Sequence, residues 1–219
     1  MVYALMSGGG KNSTLALDRA RREHMNVRYL LSVYTGSLGL TRFHGIRQTL
    51  IEQQAKSLGL EPMPIVADAA DLETAFRESL QRLAGLGVAG VIFGDIGLDS
   101  VRAWYEDRVN SAGLEHIAPN WGDPSIEIAW EVIERGYQAL VVSVNLGQRA
   151  ATYLGREFDA DLVTELGCTD GIDPSGERGE YHTFVYDGPS FANPLDFVVG
   201  AEFEQEEHRM IELVPARSS

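Results

Sequence analysis

The residues best suited to chemistry begin with a glycine loop near the start of the chain. Gly8, Gly9 and Gly10 follow a short apolar run at 2–6 and precede a helical pattern, so the predicted context is strand, loop, helix. Glycines leave backbone N–H groups open to a ligand, and the first N–H groups of a helix, with its dipole, favour an anion such as phosphate. The alternative is a purely structural turn, because loops between strands and helices use glycine routinely.

The glycine loop differs from two common phosphate-binding motifs. Asn12 follows Lys11 where the Walker motif has Ser or Thr, and the consecutive glycines lack the G-x-G-x-x-G spacing of dinucleotide-binding loops. Asn12 and Ser13 offer side chains that could cap the following helix.

A second group of candidate residues lies at 176–183, which contains Glu177, Glu180 and His182. If the chain is extended from 180 to 185, Glu180 and His182 point to the same side and could act together on one substrate as acid and base. The alternative is a charged hairpin exposed to solvent, which is the commoner environment of such residues.

Three further polar residues could contact a ligand. Asp95 follows a predicted strand, and ligands bind at the carboxyl ends of strands in open parallel sheets. Asp95 could orient a substrate or a magnesium ion, or it could cap the following turn. His44 and Arg47 lie one turn apart in a predicted helix, where they could contact a phosphate or carboxylate or form a surface pair.

Strands that alternate with helices must position these residues. Apolar runs predict strands at 2–6, 27–35, 64–66, 88–93 and 139–144. Helical spacing and capping residues predict helices at 13–24, 43–58, 71–83, 99–112 and 125–135. This alternation predicts an α/β fold with a mostly parallel, doubly wound sheet of Rossmann-like type. Because it weakens after residue 145, we expect a first domain at 1–145 and a smaller C-terminal α+β lobe at 146–219, with antiparallel strands near the end.

Composition limits the classes of protein and partner. The 219 residues carry 18 Lys and Arg against 32 Asp and Glu, and the resulting net charge of −14 argues against a nucleic-acid partner. The absence of a long apolar run and of a basic leader predicts a cytoplasmic protein that does not enter a membrane. Cys168 is the single cysteine, so we expect no disulfide within the chain and a small buried side chain at this position.

Several motifs together resemble one enzyme family. Gly9-Gly10-Lys11-Asn12-Ser13 resembles the pyrophosphatase loop, Ser-Gly-Gly-x-Asp-Ser, of the N-type ATP pyrophosphatases. Phe-His-Gly-Ile-Arg at 43–47, Phe-Gly-Asp-Ile at 93–96, Arg-x-Trp-x-Glu at 102–106 and Gly-Glu-Arg-Gly-Glu-Tyr-His-Thr-Phe-Val at 176–185 are similar to motifs of the diphthine-ammonia ligase family. The resemblance runs through nearly the whole chain.

The resemblance implies a fold, a reaction and a set of ligands. The implied fold is that of the adenine nucleotide alpha-hydrolases, with a second lobe closing over the site. The implied enzyme is an AMP-forming carbon–nitrogen ligase, which splits ATP between the α and β phosphates, adenylates a carboxylate and amidates it with ammonia. In the family the carboxylate is that of diphthine on elongation factor 2, so ATP, Mg²⁺, ammonium and this protein substrate are the expected partners. Self-association into a homo-oligomer remains open.

The same resemblance implies a role for each candidate residue. The nucleotide would contact Ser7, Gly8, Gly9, Gly10, Lys11, Asn12, Ser13, Val33 and Tyr34, with the last two bordering adenine. The catalytic residues would be Asp95, Glu177, Glu180 and His182, with Asp95 also a candidate magnesium ligand. The acceptor would contact His44, Arg47, Tyr181 and Thr183.

Three positions depart from the family pattern. The usual Asp of the loop is Asn12, and its first Ser corresponds to Gly8 unless Ser7 is used with one inserted glycine. The residue after Asp173-Pro174, commonly Cys, is Ser175. Two alternatives therefore stay open, namely a related ATP pyrophosphatase that acts on another carboxylate, and a nucleotide-binding regulatory protein without turnover.

Overall fold

The structure, a computed structural model, describes residues 1–36, 38–148 and 150–216. The strands are β1 (Val2–Met6), β2 (Asn26–Thr35), β3 (Leu40–Thr41), β4 (Glu61–Val66), β5 (Val88–Ile92), β6 (Glu115–Ile117), β7 (Gln138–Asn145), β8 (Tyr181–Asp187), β9 (Phe197–Gln205) and β10 (His208–Pro215). The helices are α1 (Lys11–Arg22), α2 (Gln48–Ser57), α3 (Leu72–Gly85), α4 (Asp99–Ser111), α5 (Ser125–Glu134) and α6 (Ala160–Cys168), with a short 3-10 helix at Ala151–Tyr153.

The first sheet is mostly parallel and is covered by helices on both faces. Its strand order is β3-β2-β1-β5-β6, with β4 also paired to β2, and only β3 runs antiparallel to its neighbour. Successive residues of β1 pack on opposite faces of the sheet. Leu5 packs in a core cluster with α1 and α2, whereas Ala4 packs in a cluster with α3 and α4. The predicted α/β class and parallel sheet are therefore confirmed.

The second sheet is antiparallel and has the order β8-β7-β10-β9. The strand predicted at 139–144 is present as β7, but it belongs to this sheet instead of the parallel one. Its residues are buried on both faces, and such an apolar run does not distinguish a parallel strand from an antiparallel one. The domain boundary after residue 145 stays a prediction. β7 ends at Asn145, before that boundary, although it belongs to the antiparallel sheet.

Three local predictions were wrong, and β3, β6, α6 and the short 3-10 helix were not predicted. The helix expected from residue 43 begins at Gln48, because Phe43 and Gly45 have left-handed φ values of 68° and 69° that no α-helix accommodates. Cys168 is exposed, since α6 buries Leu162, Val163 and Leu166 and its last residue faces outward. Asn12 and Ser13 lie inside the first turn of α1, whose N-cap is Gly10, so neither caps it.

The two sheets share one hydrophobic core cluster. Phe184 of β8 and Ile211 of β10 pack in the same cluster as Leu17 of α1 and Ile51 of α2. Backbone bonding adds to this contact, since Val185 N donates to Gly9 O over 2.9 Å. The second sheet is thereby fixed against the glycine loop. Within the described ranges, no helix has the length and apolar character needed to cross a membrane.

Candidate active site

A cavity of about 280 Å³ opens where β1, β2 and β5 end, and residues that precede or begin β8 form its other side. The carboxyl edge of the parallel sheet is where open α/β folds bind ligands. The cavity therefore combines the position expected for a ligand site with residues from both parts of the chain.

The glycine loop is held in shape by its own side chains and by the second sheet. Gly9 has a φ of 92°, and a Cβ there would approach Ile51 Cδ1 to 2.7 Å, so only glycine fits without strain. Gly9 N donates to Ser7 Oγ over 2.9 Å, and Ser7 Oγ lies 2.7 Å from Ser13 Oγ. Preorganised in this way, the loop presents the N-terminal end of α1 to the cavity.

Lys11 is tied to the segment before β8. Its Nζ donates to Ser175 O over 2.6 Å and lies 4.5 Å from the ring centroid of Tyr181. Burial lowers the pKa of Lys11 to about 8, although the carboxylates of Asp173, Glu177 and Glu180 oppose the change. The amine therefore joins the start of α1 to the second part of the chain.

His44 covers the glycine loop. A Cβ on Gly8 would lie 2.6 Å from His44 Cδ2, and one on Gly10 would lie 2.7 Å from His44 Cε1. The His44 ring also lies 4.7 Å, between centroids, from that of His182. Glycine at position 8 thus makes room for this imidazole.

Both histidines of the cavity are neutral near pH 7. Burial lowers the pKa of His44 to about 4, and burial together with His44, His208 and Lys11 holds the pKa of His182 well below its usual value. His44 Nδ1 lies 2.9 Å from Thr183 O, which can only accept, so Nδ1 carries the proton. His44 Nε2 is then a hydrogen-bond acceptor.

Two carboxylates form the acidic end of the cavity. Glu177 Oε1 accepts from Ile96 N (2.9 Å) and Gly97 N (3.2 Å), and burial raises its pKa. Burial, and then the charge of Glu177, raises the pKa of Asp95 to about 6. Asp95 Oδ2 is buried, and no hydrogen-bond partner for it is found among the described residues. Such a pair is suited to exchange a proton or to receive a cation.

The residues present fit a magnesium ion only in part. Asp95 Oδ2 lies 4.0 Å from His116 Nε2, beyond hydrogen-bonding distance, and such a buried carboxylate oxygen is the kind of ligand that Mg²⁺ prefers. Among the described residues there is no group of three or more His, Cys, Asp or Glu that could hold a metal ion. Asp95 would thus supply a single carboxylate to an ion held mainly by phosphates and water, as is common for Mg²⁺.

Aromatic side chains form a wall of the cavity that the sequence did not indicate. Phe76 of α3 and Trp104 of α4 pack with their ring centroids 5.5 Å apart, and Tyr105 lies next to both. The apolar face of a helix gives no sign of which of its residues reach a ligand, so Trp104 was not among the predicted site residues. Arg42 and Phe43 also line the cavity and were likewise missed as site residues.

Most of the predicted site residues meet at this cavity. Those that line it are Ser7, Gly8, Gly10, Lys11, Asn12, Ser13, Val33, His44, Asp95, Glu177, Tyr181, His182 and Thr183. Many of them follow β1, β2 or β5, or belong to β8. Their roles toward a ligand stay predictions.

Four predicted residues lie outside the lining of the cavity, namely Gly9, Tyr34, Arg47 and Glu180. Gly9 packs against Ile51 behind the loop, and Tyr34 is buried in the core because it points opposite to Val33. Arg47 pairs with Glu212.

Glu180 is fully buried, at 0% exposure, and its carboxylate accepts from Asp173 N (2.8 Å) and Arg178 N (3.1 Å). It precedes β8, so it does not share a strand face with His182. Its observed contacts hold the 173–180 loop in place.

Comparison with known proteins identifies the family. Residues 1–116 match the family described as "Diphthamide synthase N-terminal domain", and residues 124–214 match "Diphthamide synthase C-terminal domain". The chain belongs to the diphthamide synthase family. Residues 117–123 separate the two matches, so the glycine loop and Asp95 of this chain lie in the N-terminal match and the 175–183 segment lies in the C-terminal one.

Two curated relatives carry an enzyme name. The protein named "Diphthine--ammonia ligase" from Bos taurus is 31% identical over 111 residues, and that from Homo sapiens is 30% identical over 111 residues. Each alignment covers 49% of this chain and 42% of the relative. The chain thus aligns with less than half the length of each of these relatives.

Proposed function

We propose that this protein is an ATP-dependent ligase that adenylates a carboxylate, releases pyrophosphate and converts the acyl-adenylate to an amide with ammonia. Diphthine on elongation factor 2 is the proposed acceptor, in keeping with the names of the relatives. The observation that carries the proposal is the meeting of the glycine loop with the 175–183 segment at one cavity. An anion site and a set of acid–base groups then face the same ligand.

The nucleotide would lie between the glycine loop and the aromatic wall. The N-terminal end of α1 and the adjoining glycines suit the phosphates, since a helix N-terminus stabilises the negative charge that builds on leaving pyrophosphate. Val33 and the Phe76–Trp104 wall offer an apolar surface of the kind that receives an adenine ring. Magnesium bound to the phosphates, with Asp95 as its protein ligand, would neutralise further charge.

The acid–base groups would serve the second half of the reaction. In the first half, an acceptor carboxylate oxygen attacks the α-phosphorus and pyrophosphate leaves with the electron pair of the broken P–O bond. In the second half, ammonia attacks the acyl carbon and AMP leaves. The neutral imidazole of His182 would take a proton from the nitrogen, and Glu177, with its raised pKa, would exchange protons at the opposite side.

The direct test combines the protein with Mg²⁺, ATP, ammonium and elongation factor 2 that carries diphthine. AMP and pyrophosphate should form in equal amounts while the acid of the acceptor becomes an amide, detected by mass spectrometry. Glu177→Gln should lower the rate about 10²-fold, whereas Asp170→Asn, at an exposed residue outside the cavity, should match the wild type. AMP formation without amide would indicate another acceptor.

A nucleotide-binding regulatory role is the second candidate. It is favoured by Asn12, which brings no charge to a metal ion, and by the His44 ring that covers Gly8 and Gly10. Tight ATP binding in calorimetry, with neither AMP nor pyrophosphate released, would support it and contradict the ligase proposal.

A further inference from the structure

A second, smaller cavity adjoins the first. Its volume is about 50 Å³, and it shares Val33, Arg42, Phe43 and Leu72 with the larger cavity. On this measure about 10–15 Å³ is enough for one water molecule, so the space suits a few waters or a small ion and is several times smaller than the neighbouring cavity of about 280 Å³. The shared residues make it a neighbour of the proposed reaction site.

His208 lines this small cavity with a buried imidazole. His208 is only 9% exposed. Its buried Nε2 has no hydrogen-bond partner among the described residues. A buried nitrogen left in this state is costly unless a ligand or water satisfies it. His208 therefore points to a small polar occupant.

Three imidazoles connect the two cavities. The ring centroid of His208 lies 5.8 Å from that of His182, which in turn lies 4.7 Å from that of His44. Phe43 packs beside this row, with its centroid 5.9 Å from His182 and 6.2 Å from His208. The row thus runs from His208, in the lining of the small cavity, to His182 and His44, in the lining of the larger one.

The charges around the small cavity favour a cation. Asp68 and Glu206 line it and are exposed to solvent, whereas Arg42 is the basic residue of its lining and its guanidinium stacks 4.8 Å from the centroid of Phe43. Two carboxylates against one guanidinium leave an excess of negative charge, which raises the local concentration of small cations. Imidazole nitrogens accept hydrogen bonds, so an N–H cation is matched better than a metal ion that prefers oxygen ligands.

We propose that the small cavity binds ammonium and that the row formed by His208, His182 and His44 delivers ammonia from it to the acyl carbon. This inference rests on the proposed ligase function and adds the entry site of its nitrogen substrate. Ammonium releases one proton to solvent at the exposed side of the small cavity, because the lowered pKa values of His44 and His182 leave these imidazoles too weakly basic to take it. The freed lone pair then forms the C–N bond. The C–O bond to AMP breaks with its electron pair, and the nitrogen releases a second proton to give the amide.

Binding is tested first, without any reaction. The imidazole resonances of His208, observed by NMR, are followed while ammonium chloride replaces sodium chloride at constant ionic strength. A saturable change is expected with ammonium, and none with tetramethylammonium, which has no N–H group to donate to His208. Potassium, which has a similar size but no N–H group, should have a weaker effect. No change with ammonium, or an equal change with potassium, would overturn the assignment.

The kinetic test measures the KM for ammonium in the complete reaction. His208→Leu should raise this KM about tenfold, because it removes the unpartnered ring nitrogen, and the exposed variant Glu206→Gln should raise it about threefold. Glu207→Gln, an exposed neighbour outside the cavity lining, is the matched control and should leave the KM unchanged. An unchanged KM in both cavity variants would contradict the proposal.

The proposed function is tested separately in the same experiments. Exchange of labelled pyrophosphate into ATP by the wild-type protein needs the acceptor but no ammonium. If this exchange is absent, the ligase proposal fails, whereas the NMR titration still reports on the ammonium site. If exchange is present and ammonium leaves His208 unchanged, only the entry site is wrong.

Discussion

Lys11 has the most strongly altered environment of the glycine loop. Its ammonium lies on Ser175 O and is enclosed by the rings of Tyr181 and Phe158, and the residue is 3% exposed. Three nearby carboxylates do not restore the pKa, which burial lowers from 10.5 to about 8. The pyrophosphatase-loop resemblance assigns Lys11 to the nucleotide. In this structure Lys11 also links the glycine loop to the 175–183 segment through its hydrogen bond to Ser175 O.

The lowered pKa of Lys11 makes a prediction for stability against pH. The folded pKa lies below the unfolded one, so between about pH 8 and pH 10.5 the unfolded chain binds more protons and the free energy of unfolding rises with pH. The full gain is about 3 kcal/mol, on the scale of 1.36 kcal/mol for each unit of pKa. Urea unfolding of wild type and Lys11→Met across this range should show the wild type gaining stability relative to the variant. A difference that does not change with pH would contradict this.

The element that matters most to the site is the junction of β1, α1 and the end of β5. Gly94 follows β5 and lies against the first turn of α1, where a Cβ would approach Ser13 N to 2.6 Å and Asn12 C to 2.7 Å. These are backbone atoms, which cannot turn aside as a side chain would. The close approach therefore sets the distance between the glycine loop and Asp95.

A methyl group at position 94 should disturb this junction. Gly94→Ala is expected to lower the free energy of unfolding by about 1–3 kcal/mol, the usual cost of inserting a carbon atom into a packed region, and to weaken ATP binding. Gly97→Ala is the matched control, because a Cβ there meets no atom within 4 Å. Chemical denaturation and calorimetry with ATP measure both effects. Equal behaviour of the two variants would show that the junction is not tightly packed.

The same junction shows what the sequence can and cannot predict. β1, β2 and β5 are apolar runs, and their carboxyl ends must share an edge, so the meeting of the glycine loop with Asp95 was predictable. The position of Glu180 was not, because its partners are backbone N–H groups of an irregular loop. Phe76 and Trp104 belong to apolar helix faces, and only tertiary packing decides which of these residues reach the cavity.

At the scale of the whole molecule, β8 is one of the strands that join the two sheets. β8 brings Thr183, whose Oγ1 accepts from Lys11 N, and Val185, whose carbonyl accepts from Gln54 Nε2 over 2.7 Å. Between them, Phe184 is fully buried in the cluster that also holds Leu17 of α1 and Ile51 of α2. The site lies at this contact, so its geometry depends on the two parts staying together.

Truncation of Phe184 should therefore loosen both parts of the chain. Phe184→Ala is expected to cost about 3–5 kcal/mol, the usual range for a buried phenylalanine, whereas Val198→Ala, 61% exposed on β9 of the same sheet, should change the free energy of unfolding by less than about 0.5 kcal/mol. Hydrogen exchange measured by mass spectrometry locates the effect. Because the core cluster is shared, peptides from α1 and α2 should exchange faster in Phe184→Ala together with those from β7 and β8. Faster exchange confined to the second sheet would mean that the two parts are stabilised independently, and the glycine loop would then keep its shape without β8.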